Sequence, residues 1–507
     1  MPTHPGRVVY TVTTATMENT AARAKLTMRM GHTVALLPMV HSSFLPDVAL
    51  PNTALDRLVP RGELPAITEY DTGRTVTYDE LWAVADAAAT RLRNRGVGPG
   101  SVVELRLPNS IDFVAALLAV SRTGATACLI GHSLIDAEAS RLSALAGVTD
   151  RIEPGDLAPG PADAFAPADP GSVAVIPFSS GTTGLPKGVE LTHRSITANA
   201  VQFNAALSAS GIGEGTRVAA PLPFSHIYGL NTLLLSSLAA GRHVFTAARF
   251  DLAEFARAHR VHSIELSFIA PPIALALANS PAIGPADFAA CAHMVCGAAP
   301  LDEALARRVE DRLGIVMLQG YGTTESSPVT HVGIAGKSNP GTIGYAIPNT
   351  EFRVVDSDTG AELPDGANGE LQVRGPQIMR GYLGNPEATR NAIVDGWLRT
   401  GDIARVNPDE TVTVVDRAKD VFKYHGFQIA PAELEALLLT HPQISDVAVA
   451  ERGGVPKAFV VKHGPLDEAQ VMDWVAARVT AYKKVRAVAF VDAIPRNAAG
   501  KILRKDL

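Results

Sequence analysis

The sequence predicts an α/β protein in two parts. The larger, N-terminal part holds two α/β subdomains and a β-rich subdomain, and the smaller, C-terminal part is an α+β unit. Three observations carry this reading. Helix-patterned and strand-patterned segments alternate from Asp79 to about residue 330, the order that builds mostly parallel sheets with helices on their faces. Between residues 340 and 400 the text changes to short β-like runs separated by Gly, Pro and Asn. A unit of about ninety residues follows Asp416, a size that folds on its own.

The elements come in order. Leu81, Val84, Ala85, Ala88 and Leu92 keep helical spacing and Gly96 suits the stop. Val102–Leu107 reads as a strand, Ile111–Val120 as a helix and Ala125–Ile130 as a strand. Residues 154–171, rich in Pro, Gly and Ala, read as a loop between lobes. Strands resume at Val173–Pro177, and the β-rich stretch includes Phe352–Val355 and Glu370–Arg374. In the last unit Val412–Val415 is a strand and Pro431 opens a helix through Leu439. Val447–Ala450 and Ala458–Val461 read as paired strands, and Val471–Val479 as a helix. Residues 1–44 show no periodicity and are expected to be an extension. The N-terminal domain is expected over 45–416 and the C-terminal domain over 417–507.

Composition narrows the function. The 507 residues are 47% hydrophobic and 19% charged, which excludes a disordered chain. A net charge of −6 gives no basic surface, so no nucleic-acid partner is expected. Cys128, Cys291 and Cys296 form neither a disulfide framework nor a metal-binding pair. No apolar run is long enough for a bilayer, and Val34–Val40 is short and broken by Pro38, so no membrane is expected and the cytoplasm fits.

The sharpest chemical feature is Phe178-Ser179-Ser180-Gly181-Thr182-Thr183-Gly184-Leu185-Pro186-Lys187-Gly188. Its glycines let the backbone approach a ligand, its four hydroxyls add donors and Lys187 adds a point charge, as a polyphosphate requires. It is not a Walker A loop, because no Gly-Lys-Ser/Thr stands at the required spacing.

This loop resembles the phosphate-binding segment of the AMP-forming adenylating enzymes, which include acyl-CoA synthetases, luciferase and peptide-synthetase adenylation domains. Four further segments stand in the family's order. Gln319-Gly320-Tyr321-Gly322-Thr323-Thr324-Glu325 resembles the adenine and magnesium motif, and Thr400-Gly401-Asp402 the ribose motif. Asp416-Arg417-Ala418-Lys419-Asp420 resembles the hinge motif, and Pro495–Lys501 the catalytic-lysine motif. The resemblance spans roughly residues 45–507. Pro223–Leu230 and Val421–Glu435 resemble the 4-coumarate/cinnamate CoA ligases within it.

The resemblance implies ATP, Mg²⁺ and a small-molecule acid, with CoA or another nucleophile as acceptor. Catalytic roles fall on Lys501, His226, Thr324 and Glu325, with Glu325 holding the metal as a hard oxygen ligand. Nucleotide and carrier contacts fall on Ser179, Ser180, Gly181, Thr182, Thr183, Gly184, Lys187, Gln319, Gly320, Tyr321, Asp402, Arg417, Lys423, His425, Gly426 and Gln428. The acid pocket falls on Tyr228, Gly297, Ala298, Ala299, Gly322 and Thr323. Lys187 and Lys501 lie in different domains yet must meet one phosphate, so a mobile C-terminal domain hinged at Lys419 is expected.

Three features depart from the coumarate-ligase pattern. His425 stands where a CoA-contacting lysine is usual, residues 451–456 make a shortened connection, and Thr323 replaces Met or Leu beside the pocket. They leave open a carrier-protein thiol, an amine or nitrite as acceptor. A catalytically dead scaffold is disfavoured by the joint presence of Glu325, Asp402 and Lys501.

Overall fold

The computed structural model describes residues 40–180, 186–417, 422–424, 427–429, 431–496 and 502–507, with Pro154, Ser180, Arg417, Lys423, Phe427, Gln428 and Tyr482 described by backbone alone. Residues 1–39 lie outside this range. His41–Ser42 already pairs antiparallel with Phe352 and Glu351, so packed structure starts ahead of residue 45.

Local sequence explains the helices that frame the site. The helix Tyr78–Asn94 starts at a capping box, in which Thr77 Oγ1 accepts the Glu80 N–H and Glu80 accepts the Thr77 N–H in return. The helix Ile111–Thr123 is capped by Ser110 and stopped by Gly124, whose φ of 73° suits glycine. Its residues are buried nearly throughout, so it runs through the core rather than along its surface.

Two large sheets arise from the helix–strand alternation. One runs Gly381–Tyr382, Pro186–Thr192, Val173–Ile176, Thr126–Leu129, Val102–Leu105, Asp150–Arg151. The other has nine strands, and its centre is parallel: Val316–Gly322, His293–Cys296, Leu266–Ile269, Arg217–Ala219, His243–Thr246, Pro65–Glu69. A third, antiparallel sheet holds Glu351–Val355, Gly369–Arg374, Trp397–Val406 and Val412–Arg417. That sheet is the β-rich region expected over 340–400.

The C-terminal part has the antiparallel pair Ile444–Arg452 and Val455–Lys462, extended by the parallel strand Ala487–Phe490. The helices Pro431–Leu439 and Glu468–Ala476 cover it. Its buried apolar clusters draw on residues from Ile429 onward, whereas those of the N-terminal part end at Val412. Links between the parts include the Ala432 N–H donated to Asp416 Oδ2 at 2.9 Å. The shortened connection is a two-residue hairpin turn: Arg452 pairs with Val455, and Gly453 and Gly454 take φ of 64° and 79°. Among the described residues no helix is long and apolar enough to cross a membrane.

Candidate active site

Parallel sheets leave a crevice outside the carboxyl ends of their strands, where loops diverge to opposite faces. A cavity of about 1060 Å³ occupies this position. Its wall is assembled from the segments that leave successive strands: Pro221–Pro223 after Ala219, Ala247–Phe250 after Thr246, Ala270 after Ile269, Ala298 after Cys296, and Gly131–Leu134 after Leu129. Arg496 joins the wall from the C-terminal part.

His226 and Tyr228 both face this cavity. The Tyr228 backbone N–H donates to His226 Nδ1 at 3.3 Å, which leaves Nε2 to carry the proton of a neutral ring. Burial pulls the His226 pKa down, so the ring is neutral at pH 7. The Tyr228 hydroxyl donates toward Val295 O and Ile269 O at 3.1 and 3.3 Å, which fixes its ring across the strand ends. Gly297 is what lets that ring fit, since a Cβ there would stand 2.9 Å from Tyr228 Cζ.

The pocket expected from sequence is therefore reached in part. Tyr228 and Ala298 line the cavity, while Gly297, Ala299, Gly322 and Thr323 are not among its described lining residues. Gly297 lies behind the tyrosine. Thr323 is drawn into its own turn: its N–H donates to Pro328 O at 3.2 Å and its hydroxyl lies 3.1 Å from Ser326 Oγ.

The segment bearing Thr324 and Glu325 is built at the end of the strand Val316–Gly322. The chain turns sharply through Thr324–Ser326 and returns as Val329–Val332. Gly322 is required, because a Cβ there would stand 1.9 Å from Pro328 O. Two buried amides fasten the return. Asn199 donates to Val329 O at 2.8 Å and accepts its N–H at 3.1 Å, and Asn231 donates to Ser327 O.

Gln319 holds the loops around the strand end. Its amide accepts the Leu301 N–H at 2.9 Å and donates to Pro340 O and Thr342 O at 3.1 and 3.3 Å, so it braces two loops. Tyr321 and Asp402, 81 residues apart, meet directly: the phenol donates to Asp402 Oδ2 at 2.6 Å. Asp402 is buried and pairs across the strands with Arg417. Ser179 pairs with Lys187 on the two strands flanking the phosphate loop. Lys423 likewise stands opposite Gln428 in the strand pair Phe422–Tyr424 and Phe427–Ile429. Gly181, Thr182, Thr183, Gly184, Lys419, His425, Gly426 and Lys501 lie outside the described residues.

Two residues missed in the sequence complete the arrangement. Asn109 lines the cavity and clasps the turn before His226, donating to Leu222 O and accepting the Phe224 N–H, both at 2.8 Å. Tyr382 donates to Glu325 Oε1 at 2.9 Å, and its ring lies under the Lys187 ammonium, 4.8 Å from Nζ. Neither stands in a motif. An asparagine after Pro108 and an aromatic in a polar turn are the faint signals available.

The buried Asp402 carboxylate, held by Tyr321, and a large, mostly apolar cavity at the strand ends suit an enzyme acting on a small organic molecule. Family models agree. The AMP-binding enzyme model matches residues 57–152 and 145–383, and the AMP-binding enzyme C-terminal domain model matches 433–501. The chain belongs to the AMP-binding enzyme family, and it is an AMP-forming ligase. Curated relatives include 4-coumarate–CoA ligase 3 of Oryza sativa subsp. japonica, 37% identical over 94% of this chain and 96% of that protein. Another is 4-coumarate–CoA ligase of Pinus taeda, 34% identical over 94% and 99%. Among solved structures, ATP-bound MatB from Rhodopseudomonas palustris superposes with a TM-score of 0.82 at 26% identity, covering 90% of this chain and 98% of that one.

Proposed function

We propose that this enzyme activates an aromatic, cinnamate-like acid with ATP and passes the acyl group to CoA. The observation that carries this reading is the cavity itself. His226, Tyr228 and Ala298 line a volume of about 1060 Å³, large enough for a flat ring, and Ala298 follows the strand that pairs with Val316–Gly322, the strand leading to Thr324 and Glu325. The coumarate-ligase names of relatives spanning nearly the whole chain support the choice of acid and acceptor.

The chemistry proceeds in two displacements. A carboxylate oxygen of the acid attacks the α-phosphorus of ATP, the bond to pyrophosphate breaks, and an acyl adenylate remains. The acceptor sulfur then attacks the acyl carbon and AMP departs. Charge accumulates on phosphoryl oxygens, so the protein's task is positioning and electrostatic stabilisation. Lys187 and Lys501 supply cations, Thr324 a hydroxyl, and Asp402 with Tyr321 the ribose end. Glu325 fits a divalent cation: Oε1 is held by Tyr382, and Oε2 has no hydrogen-bond partner among the described residues. Mg²⁺ held there would neutralise phosphate charge. The neutral His226 ring, at the cavity wall, is placed to donate its Nε2–H to a bound acyl group.

Lys187 and Lys501 must reach one phosphate, and both displacements share one site. The C-terminal unit therefore swings about Lys419 between the two steps. Lys419→Pro fixes φ there and should damage one half reaction while sparing the other.

A second reading keeps the adenylation and changes the acceptor to a carrier thiol, an amine or nitrite. The tight Gly453-Gly454 turn and His425 favour it, because both thin the surface available to a phosphorylated carrier. Product analysis with and without CoA separates the two. Saturable thioester formation supports the first, and adenylate accumulating beside unused CoA supports the second. If CoA is the acceptor, His425→Lys should tighten its use roughly 10- to 150-fold, the worth of one charge-assisted hydrogen bond.

A further inference from the structure

We propose that Tyr382 is a positioning residue of the adenylation site, its hydroxyl orienting Glu325 and its ring seating Lys187. The inference rests on the reading of Glu325 as the metal carboxylate and Lys187 as a phosphate contact.

Tyr382 lies in the two-residue strand Gly381–Tyr382, far in sequence from both partners. Its backbone is fastened from several sides. It pairs with Val189 on the strand that leaves the phosphate loop, flanked by the Arg380 N–H to Glu190 O and the Leu383 N–H to Gly188 O, each 2.9 Å. Its own N–H donates to Thr389 Oγ1 at 2.9 Å, and Gly381 keeps that contact close, since a Cβ there would stand 2.9 Å from Thr389. On the other side the Met379 N–H donates to the Glu325 carbonyl at 2.8 Å. One short segment thus ties the exit strand of the phosphate loop to the backbone of the acidic residue.

The side chain repeats that tie at the reacting end. The phenol donates to Glu325 Oε1 at 2.9 Å, which fixes the carboxylate rotamer and leaves Oε2 to the ligand. The ring face lies 4.8 Å from Lys187 Nζ, within cation–π range, so the ammonium rests on it without forming a competing bond to Glu325. A tyrosine does both tasks at once. Phenylalanine does one, and an aliphatic residue neither.

Tyr382→Phe and Tyr382→Leu separate the two contacts. The first readout needs no turnover: calorimetric binding of a non-hydrolysable ATP analogue as a function of Mg²⁺. Tyr382→Phe should raise the Mg²⁺ needed for half-maximal binding roughly tenfold, the scale of one hydrogen bond to a charged group. Affinity at saturating Mg²⁺ should hold. Tyr382→Leu should add a loss of analogue affinity of roughly two- to fivefold, the scale of an exposed cation–π contact. Acid-dependent pyrophosphate exchange should decline in the same order, in the KM for ATP more than in kcat. If Tyr382→Leu does not fold, Tyr382→Met takes its place. Parental Mg²⁺ dependence in Tyr382→Phe overturns the orienting role, and equal losses in both variants overturn the seating of Lys187. Glu325→Gln is the control for the underlying reading: unchanged Mg²⁺ dependence there means Glu325 is not the metal carboxylate, whatever Tyr382 does.

Discussion

The two parts of the molecule hold their chemistry in opposite ways. In the N-terminal part the cavity wall is made by segments leaving the ends of strands in large sheets, and buried amides lock the neighbouring turns, as Asn109, Asn199 and Gln319 show. The C-terminal part has a small core of its own and secures its tail by charge. The Arg504 guanidinium meets the buried Glu435 carboxylate at 2.9 Å, Arg452 donates to Leu507 O, and Arg496 pairs with Asp446 at 2.8 Å. Arg496 also bridges to Ile502 across the stretch that holds Lys501. The difference teaches a division of labour. One part presents a preorganised crevice, and the other is a small unit whose tail is tied down by ion pairs and by the Arg496–Ile502 bridge.

The largest test of that contrast is Lys501→Ala. If the C-terminal part contributes a transition-state contact rather than structure, adenylation should fall by roughly 10²–10³ while the fold persists. Pyrophosphate exchange within a few-fold of the parent would break the comparison.

Acid and base should sort the two parts next. Burial pulls His193, His243 and His259 down to about 4 and His331 to about 3. The unfolded chain, with histidines near 6.5, binds more protons between these values. The N-terminal part should therefore lose stability as pH falls from about 6.5 toward 4. Glu435 runs the other way. Burial pushes it up to about 7, Asp416 adds to the rise, and Arg504 with the Val449 N–H opposes it. Here the folded state binds more protons above 4.5, so the C-terminal part should lose stability as pH rises from about 4.5 to 7. Hydrogen exchange resolved by segment, comparing 111–123 with 433–476, should show protection moving in opposite directions. Glu435→Gln should flatten the second trend alone.

Glycines sharpen the contrast at smaller amplitude. Gly322→Ala places a Cβ 1.9 Å from the Pro328 carbonyl, so the turn bearing Glu325 must shift, at a cost of about 1–3 kcal/mol and with loss of adenylation. Gly453→Ala meets nothing within 4 Å and carries only the left-handed backbone penalty, about 1 kcal/mol. Thermal midpoints and exchange rates of the two variants should part accordingly: the first loses both, the second a little stability.

Much of this was legible in the sequence because local rules dominate there. Pro431 and its apolar run place the helix Pro431–Leu439 to the residue, and the alternation of elements gives the parallel sheets. Single-turn motifs such as Thr324–Glu325 are readable because their spacing is short. What escapes depends on long-range pairing. Tyr382 matters only because its strand meets Val189, and Asn109 only because it reaches Leu222 and Phe224 across the sheet. Thr323 and Gln319 show the same dependence: the hydrogen bonds of their side chains to Ser326, Leu301 and Pro340 cannot be read from the motif.

The central claim, that this chain activates an acid as an adenylate, is tested most directly by exchange of labelled pyrophosphate into ATP across a series of aromatic acids, without CoA. Adenylate formation predicts exchange that requires both acid and Mg²⁺, AMP as the nucleotide product, and thioester appearing one-for-one with AMP once CoA is added. Exchange with no acid in the series, or ADP in place of AMP, would contradict it.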